Sequence, residues 1–271
     1  MVTTVAAKKA EKYDAADPAR APGDRWVAMS NALARAGHGL SVSEKRVIFI
    51  AISKLDSRAA TNTEKIQVTR ITAGEYAEAF DVDSHTAYDQ LKATADSLYQ
   101  RSITFFEPAH RRGDKPLEAT VNKMRWVGRA KYHKGEGWIE LSWWPEVLPH
   151  LTLLKRQFTQ YQLNQAGALR SEYSWKLLDL LMRFKSTGWA EYTIEDFAAS
   201  MEATEKQKAD FAAIRRKMIE PAVAELNKKD GWQITWSPIK AGRRIKAVRF
   251  DFKRDPQGRL DLDAHNSALS R

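Results

Sequence analysis

The chain has 271 residues, with 44 Lys and Arg against 34 Asp and Glu, six His and no cysteine, for a formal net charge of +10. The length suits one large domain or two modest ones, each able to bury a core. The lack of cysteine excludes disulfides, thiolate zinc sites, iron–sulfur clusters and thiol catalysis.

Residues 1–24, MVTTVAAKKAEKYDAADPARAPGD, carry no long apolar stretch and read as a flexible tail rather than a secretory signal. No later run approaches the roughly 18 apolar residues that span a bilayer, so the expected location is cytoplasmic. Arg25–Ala36 gives the first helical pattern. A second helix follows in SVSEKRVIFIAISKLDS, with Ser43 as cap and Val47, Ile48, Ile50, Ala51 and Leu55 as its apolar face. KIQVT reads as a short strand and Ala73–Phe80 as a short helix. Asp83 or Ser84 caps a longer helix with Ala87, Leu91, Ala95 and Leu98 on one side. RSITFFE is a strand by its β-branched and aromatic content, PAHRRGDKP a basic turn, and EATVNKMRWVGRAKYHKGEGWIELSW two strands around Gly135–Gly137. Pro145 and Pro149 bracket the expected junction between a first domain (25–145) and a second (150–254).

The second half runs FTQYQL as a strand, then a helix capped by Ser171 and ended by Gly188, then EYTI as a short strand and EDFAASME as a short helix. Lys206–Asn227 reads as one long amphipathic helix, with Pro221 as a kink or as the start of a separate helix. A hairpin follows in WQITWSPIKAGRRIKAVRFDF, with Gly242 in its turn. Residues 255–271 form a polar tail. The two halves repeat: helix, short strand, short helix, long helix, hairpin. GEYAEAF (74–80) and EDFAASM (195–201) match at a spacing of 121 residues. The expected fold is therefore α+β, two tandem winged-helix domains related by a pseudo-repeat. In such a unit the short helix braces and the long helix fits a major groove.

Charge is concentrated where this fold would read DNA. Thr204–Arg254 holds fourteen Lys and Arg against six Asp and Glu, a net of +8, which points to a polyanion and to counterion release as the driving force. On the long helix Phe211, Ile214, Met218, Ala222 and Leu226 share one arc. Arg216 lies away from it and is the candidate base contact. Lys206, Lys208 and Lys217 suit phosphates. Arg215 lies near the apolar arc, either structural or with its head reaching out to DNA. The hairpin tip adds Lys240, Arg243, Arg244 and Lys246. In the first half Ser84, His85, Thr86, Tyr88 and Lys92 form the polar face of the corresponding helix, opposed by Asp83, Asp89 and Asp96. Arg111 and Arg112 in HRRGDK would supply backbone contacts from its wing.

Catalytic constellations are sparse. There is no GxxxxGK[ST] phosphate loop, and none of His38, His85, His110, His133, His150 and His265 forms an H-x-H or H-x-x-x-H pair, so neither a cofactor nor a catalytic metal is expected. Asp81/Asp83 read as a turn and cap, Asp261/Asp263 as tail. Most tryptophans (126, 138, 143, 144, 175, 189, 232 and 236) sit in strand or helix patterns and suit core packing better than base stacking.

The order and spacing of MSNALARAGHGLSVSEKRVIFIAISKL, ITAGEYAEAFDVDSHTAYDQLKATADSLYQRSI, WIELSWWPEVLPHL, FTQYQLNQAGALRSEYSWKLLDLL and IRRKMIEPAVAELN, with a hairpin ending AVRFDF, resemble the bacterial plasmid replication initiators of the iteron-binding type. The likeness spans about Ala28 to Lys253. It implies binding to directly repeated iterons, opening of an AT-rich segment, and recruitment of the host initiator and replicative helicase. It also implies a homodimer that represses its own gene at an operator inverted repeat, with Val121, Lys123, Arg125 and Val127 as the dimer strand. A transcriptional repressor without initiator role and a DNA-nicking nuclease are the alternatives.

Overall fold

The computed structural model describes residues 20–57, 66–106, 111–112, 115–116, 121–132, 135–154, 157–229 and 231–254. Residues 1–19 and 255–271 of the expected tails, His110, His133, His265, Asp261 and Asp263 lie outside these residues, whereas Pro22–Asp24, expected as tail, are ordered into the fold. A 3-10 turn at Pro22–Asp24 leads into β1 (Trp26–Ser30), α1 (Asn31–Arg35) and α2 (Val42–Ile52). Next come β2 (Val68–Thr72), α3 (Ala73–Phe80) and α4 (Ser84–Leu98). They are followed by β3 (Ser102–Phe106), β4 (Arg111–Arg112), β5 (Lys115–Pro116), β6 (Val121–Arg125), β7 (Val127–Tyr132) and β8 (Trp138–Trp143). A 3-10 segment, Pro145–His150, precedes β9 (Phe158–Gln162), α5 (Asn164–Gly167) and α6 (Glu172–Met182). The last part runs β10 (Trp189–Thr193), α7 (Ile194–Ser200), α8 (Glu205–Lys208), α9 (Phe211–Ile214), a π-helical turn (Arg215–Ile219), α10 (Glu220–Lys229), β11 (Trp232–Ala241) and β12 (Arg244–Arg254).

Two antiparallel sheets share one strand order, β2-β8-β7 and β10-β12-β11. Both β10 and α7 begin 121 residues after their counterparts β2 and α3. The repeat extends to hydrogen bonds. Thr72 caps α3 by accepting from Glu75 N–H, and Thr193 caps α7 by accepting from Asp196 N–H. Each short helix ends at an acidic residue in the left-handed region, Asp81 (φ 50°) and Glu202 (φ 58°). The next residue then donates five residues back, Val82 to Ala77 and Ala203 to Ala198. One residue later Asp83 and Thr204 cap α4 and α8. The two helix-turn-helix units thus share the cap of the short helix and the left-handed turn that follows it.

Several expected elements differ. The first helix is a strand, β1, followed by the short α1, because Trp26–Ser30 pairs antiparallel with β9, more than 120 residues downstream. Ser41, not Ser43, caps α2, in a capping box with Glu44. The strand expected at KIQVT begins at Val68. The stretch read as two strands around Gly135–Gly137 contains three. Trp126, fully buried, separates β6, which pairs with β3, from β7, which pairs with β8. The hairpin matching β11–β12 is therefore β7–β8, and the wing of the first unit turns at Gly135–Gly137. Arg111–Arg112, from the segment expected to be that wing, pair instead with Lys115–Pro116 and fall between β3 and β6 in the chain.

The buried residues form one continuous cluster through both halves. Phe49 of α2 meets Trp175 of α6 edge-on at 5.2 Å. Tyr161 of β9 donates to Asp179 at 2.6 Å and accepts from the Trp175 indole at 3.1 Å. Trp126 donates to the His38 carbonyl at 3.3 Å and stands edge-on to its ring. Trp143, Trp175 and Trp232 are buried like Trp126, and losing an indole from such a site costs about 3–5 kcal/mol. Trp189 is 42% exposed, under the Arg249 guanidinium.

Candidate nucleic-acid interface

In the second unit the segment after the helix-turn-helix turn is broken rather than continuous. Thr204 forms a capping box with Gln207, starting α8, and Asp210 caps α9 by accepting from Ala212 N–H at 2.8 Å. The chain then stays helical, but Glu220 N–H donates to the Arg215 carbonyl, a step of five residues. Pro221, in the first turn of α10, has no N–H to offer Lys217, which removes the α-helical bond at this point. A π turn widens the helix by one residue. Met218 and Ile219 are both buried, and Arg215, Arg216 and Lys217 are all exposed.

The three cations are held differently. Arg215 is exposed, and its Nε is 3.5 Å from a Glu220 carboxylate oxygen. Arg216 Nε donates to the Ala212 carbonyl at 3.3 Å, which folds the side chain back along its own helix. Lys217 has no ion pair or hydrogen bond among the described residues. Lys208 is paired with Glu205 at 2.7 Å, and Lys206 is exposed. Behind this surface Ile214, Met218, Ala222 and Leu226 are fully buried, and Phe211 packs on Trp236 of β11.

Asn227 was not singled out by its sequence context as a fastener, yet it locks α10 to β11. Its amide donates to Ile234 O at 3.0 Å and its carbonyl accepts from Ile234 N–H at 2.8 Å. That lock ties the cationic helical segment to the hairpin. At the wing tip Ala241 pairs with Arg244 across the two residues Gly242 and Arg243, and Gly242 sits at φ 62°, where a side chain is strained. Lys240, Arg243, Arg244 and Lys246 are exposed, and no acid lies between Pro238 and Arg249.

The first unit presents a less charged surface. Asp83 accepts from His85 and Thr86 N–H, both at 3.0 Å, and hydrogen bonds led by the Thr86 hydroxyl hold its carboxyl below the usual carboxylate range. Ser84, His85 and Thr86 are exposed on the first turn of α4. Tyr88 and Lys92, expected on the same polar face, lean on the wing instead. The Tyr88 hydroxyl accepts from Gly135 N–H at 3.1 Å, and Lys92 Nζ lies 5.9 Å from the centre of the Tyr132 ring. Arg70 stacks on Trp138 at 4.3 Å and pairs with Glu140. The side chains of Arg111 and Arg112 lie outside the described residues. On β6, Val121 and Lys123 are exposed, and Arg125 donates to Tyr99 O at 2.8 Å. Val127 does not fit the expected dimer strand. It is fully buried and pairs with Trp143 inside the first unit.

Two family models match this double architecture, Initiator Replication protein, WH1, over residues 26–182 and Initiator Rep protein, WH2, over residues 193–252. The chain belongs to the initiator replication protein family. The two matches divide it between residues 182 and 193, after α6, whereas Pro145–Pro149 precedes a strand that returns to pair with β1. A replication initiation protein of Escherichia coli is 22% identical over 248 residues, covering 90% of this chain and 74% of that protein. An uncharacterized 27.6 kDa protein of Escherichia coli is 23% identical over 231 residues, covering 82% and 93%. The fold matches that of the Pi initiator protein, solved in complex with iteron DNA, with a TM-score of 0.70 at 21% identity, over 86% of this chain and 99% of that one. Among the described residues no helix is long and apolar enough to cross a membrane, and no group of three His, Asp or Glu is placed to hold a metal ion.

Proposed function

We propose that this initiator-family chain binds repeated origin sequences in double-stranded DNA and starts plasmid replication there, without enzymatic activity of its own. The supporting observation is the second unit. Three consecutive exposed cations sit on a π turn of the reading segment, next to a wing whose tip carries four more. Arg216 is the base contact; Lys206, Lys208, Arg215 and Lys217 meet phosphate. Lys240, Arg243, Arg244 and Lys246 grip the neighbouring backbone or minor groove. In the first unit Ser84, His85 and Thr86 read bases with little electrostatic help, and the two units cover adjacent segments of one repeat.

A second mode, autorepression by a homodimer on an inverted repeat, is supported by β6. It pairs with β3 on one side, belongs to a two-stranded sheet, and exposes Val121 and Lys123. An unpaired strand edge is a template for a second copy.

A gel-shift titration against duplexes cut from the DNA flanking the gene tests the reading. Stepwise binding to tandem repeats, one chain per repeat, supports it. Binding to an inverted repeat alone favours a repressor, and equal binding to every fragment removes sequence specificity. Nicking of supercoiled DNA with a divalent metal would make the chain a nuclease.

A further inference from the structure

The left-handed acid that ends the short helix is repeated in both units, but its two copies are used differently. Asp81 is exposed in the turn of the first unit. Glu202, its counterpart, reaches out of the second unit and into the first. One carboxylate oxygen accepts from His38 N–H and the other from Gly39 N–H, both at 2.9 Å. The loop it meets is bonded at several points. Gly37 exchanges two backbone hydrogen bonds with Thr104 of β3, at 2.8 and 2.7 Å. The buried His38 ring bonds the Leu33 carbonyl at 2.7 Å and packs edge-on against Trp126. Gly39 lies at φ 59°. A Cβ on Gly37 would meet the Glu202 side chain at 3.6 Å, an ordinary contact, so the carboxylate lies directly against this loop. A second bond joins the same loop from the other side: Lys176 of α6, 2% exposed, donates to the Ala36 carbonyl.

We infer that Glu202 is a positioning residue. By clamping the turn of the second helix-turn-helix to the Ala36–Gly39 loop, it fixes the offset between the two reading helices and so the DNA spacing the chain accepts. Thr204, two residues on, starts α8, so the clamp lies at the root of the reading segment. Two backbone N–H groups on one ionised carboxylate form a charge-assisted, bidentate joint. Linked reading heads gain affinity from each other only when both can engage at once, and a rigid joint makes that gain depend on spacing. This inference rests on the two-headed reading proposed above.

Glu202→Gly separates the clamp from local folding, because glycine is the residue best suited to a positive φ and the turn itself is relieved of strain. Glu202→Gln keeps the length but removes the charge. Two readouts are needed. The chain has no cysteine, so spin labels on Asp89→Cys in α4 and Ala224→Cys in α10 report one distance between the units by pulsed electron resonance. A narrow distribution in the parent that broadens in Glu202→Gly, with Glu202→Gln between them, is expected; an unchanged distribution overturns the inference. The second readout uses a duplex selected by the parent from a random pool, with one base pair inserted between its two protected segments. The parent is expected to lose affinity by about tenfold or more and Glu202→Gly by about threefold or less. An equal loss in both overturns the inference. If the parent selects no duplex, the DNA-reading proposal fails, and the distance measurement still decides whether Glu202 clamps the units.

Discussion

The backbone N–H of Glu220 donates to the carbonyl of Arg215, five residues back, one residue before Pro221. This one relationship explains how three consecutive cations share an exposed surface while the two residues after them are both buried. It also ties Pro221 to the surface that the proposal assigns to DNA. In Pro221→Ala, Lys217 O gains a donor four residues on and the turn can return to the α step, which rotates the residues before it by about 100° against α10. Affinity for the selected duplex is expected to fall about tenfold, and the melting temperature with it, because turning this segment lifts Ile214 and Met218 out of the core. Unchanged affinity would show that Met218 and Ile219 packing, not Pro221, holds the π turn.

Arg216→Ala tests base reading. Its guanidinium is exposed and, among the described residues, is held by the Ala212 carbonyl alone, a bond it can exchange for a base edge. Cognate binding is expected to weaken by about 1–3 kcal/mol, with a much smaller loss on random duplex. Equal losses on both would reduce Arg216 to a phosphate contact.

Arg243→Ala and Arg244→Ala test the wing. Each is expected to lower the slope of log affinity against log salt by about one, one counterion per phosphate contact, in titrations across a salt series. A slope that does not move takes the wing out of the interface.

Stability should depend on pH through Lys176. Burial first, and the neighbouring Lys45 second, push its amine down to about 7, against the pull of Glu202 and Asp179. Between about 7 and its unfolded value near 10.4 the unfolded chain binds the extra proton, so stability rises with pH across that window and the penalty is full below it. His38, held well below 6.5 by burial, also favours higher pH, but its window closes near 6.5. Urea unfolding between pH 7 and pH 10 is expected to show a rise that Lys176→Met flattens.

Much of the fold is legible locally. The 121-residue repeat, Asp83 and Ser171 as caps, and the apolar spacing of α4 follow from the residues themselves. Distant partners decided the rest. WVAMS becomes a strand because β9 pairs with it, and Trp126 splits one apparent strand in two because its ring is needed beneath His38. Tyr88 and Lys92 look like a free polar face on a helical wheel, but the wing they touch is folded back from residues 132 and 135. Of this segment, Pro221 and the cations are legible in the sequence; the π step that brings Met218 and Ile219 inside together is not. Glu202 gave no signal at all, since its partners lie 163 and 164 residues away.

The most direct test of the account is a hydroxyl-radical footprint of a single chain on its selected duplex. Two adjacent protected segments, about one helical turn apart on one face, are expected. Arg216→Ala should clear one of them and Ser84→Ala combined with Thr86→Ala should weaken the other. A single protected segment, or two that appear only when a second chain binds, would contradict a chain that reads DNA with both of its winged helices.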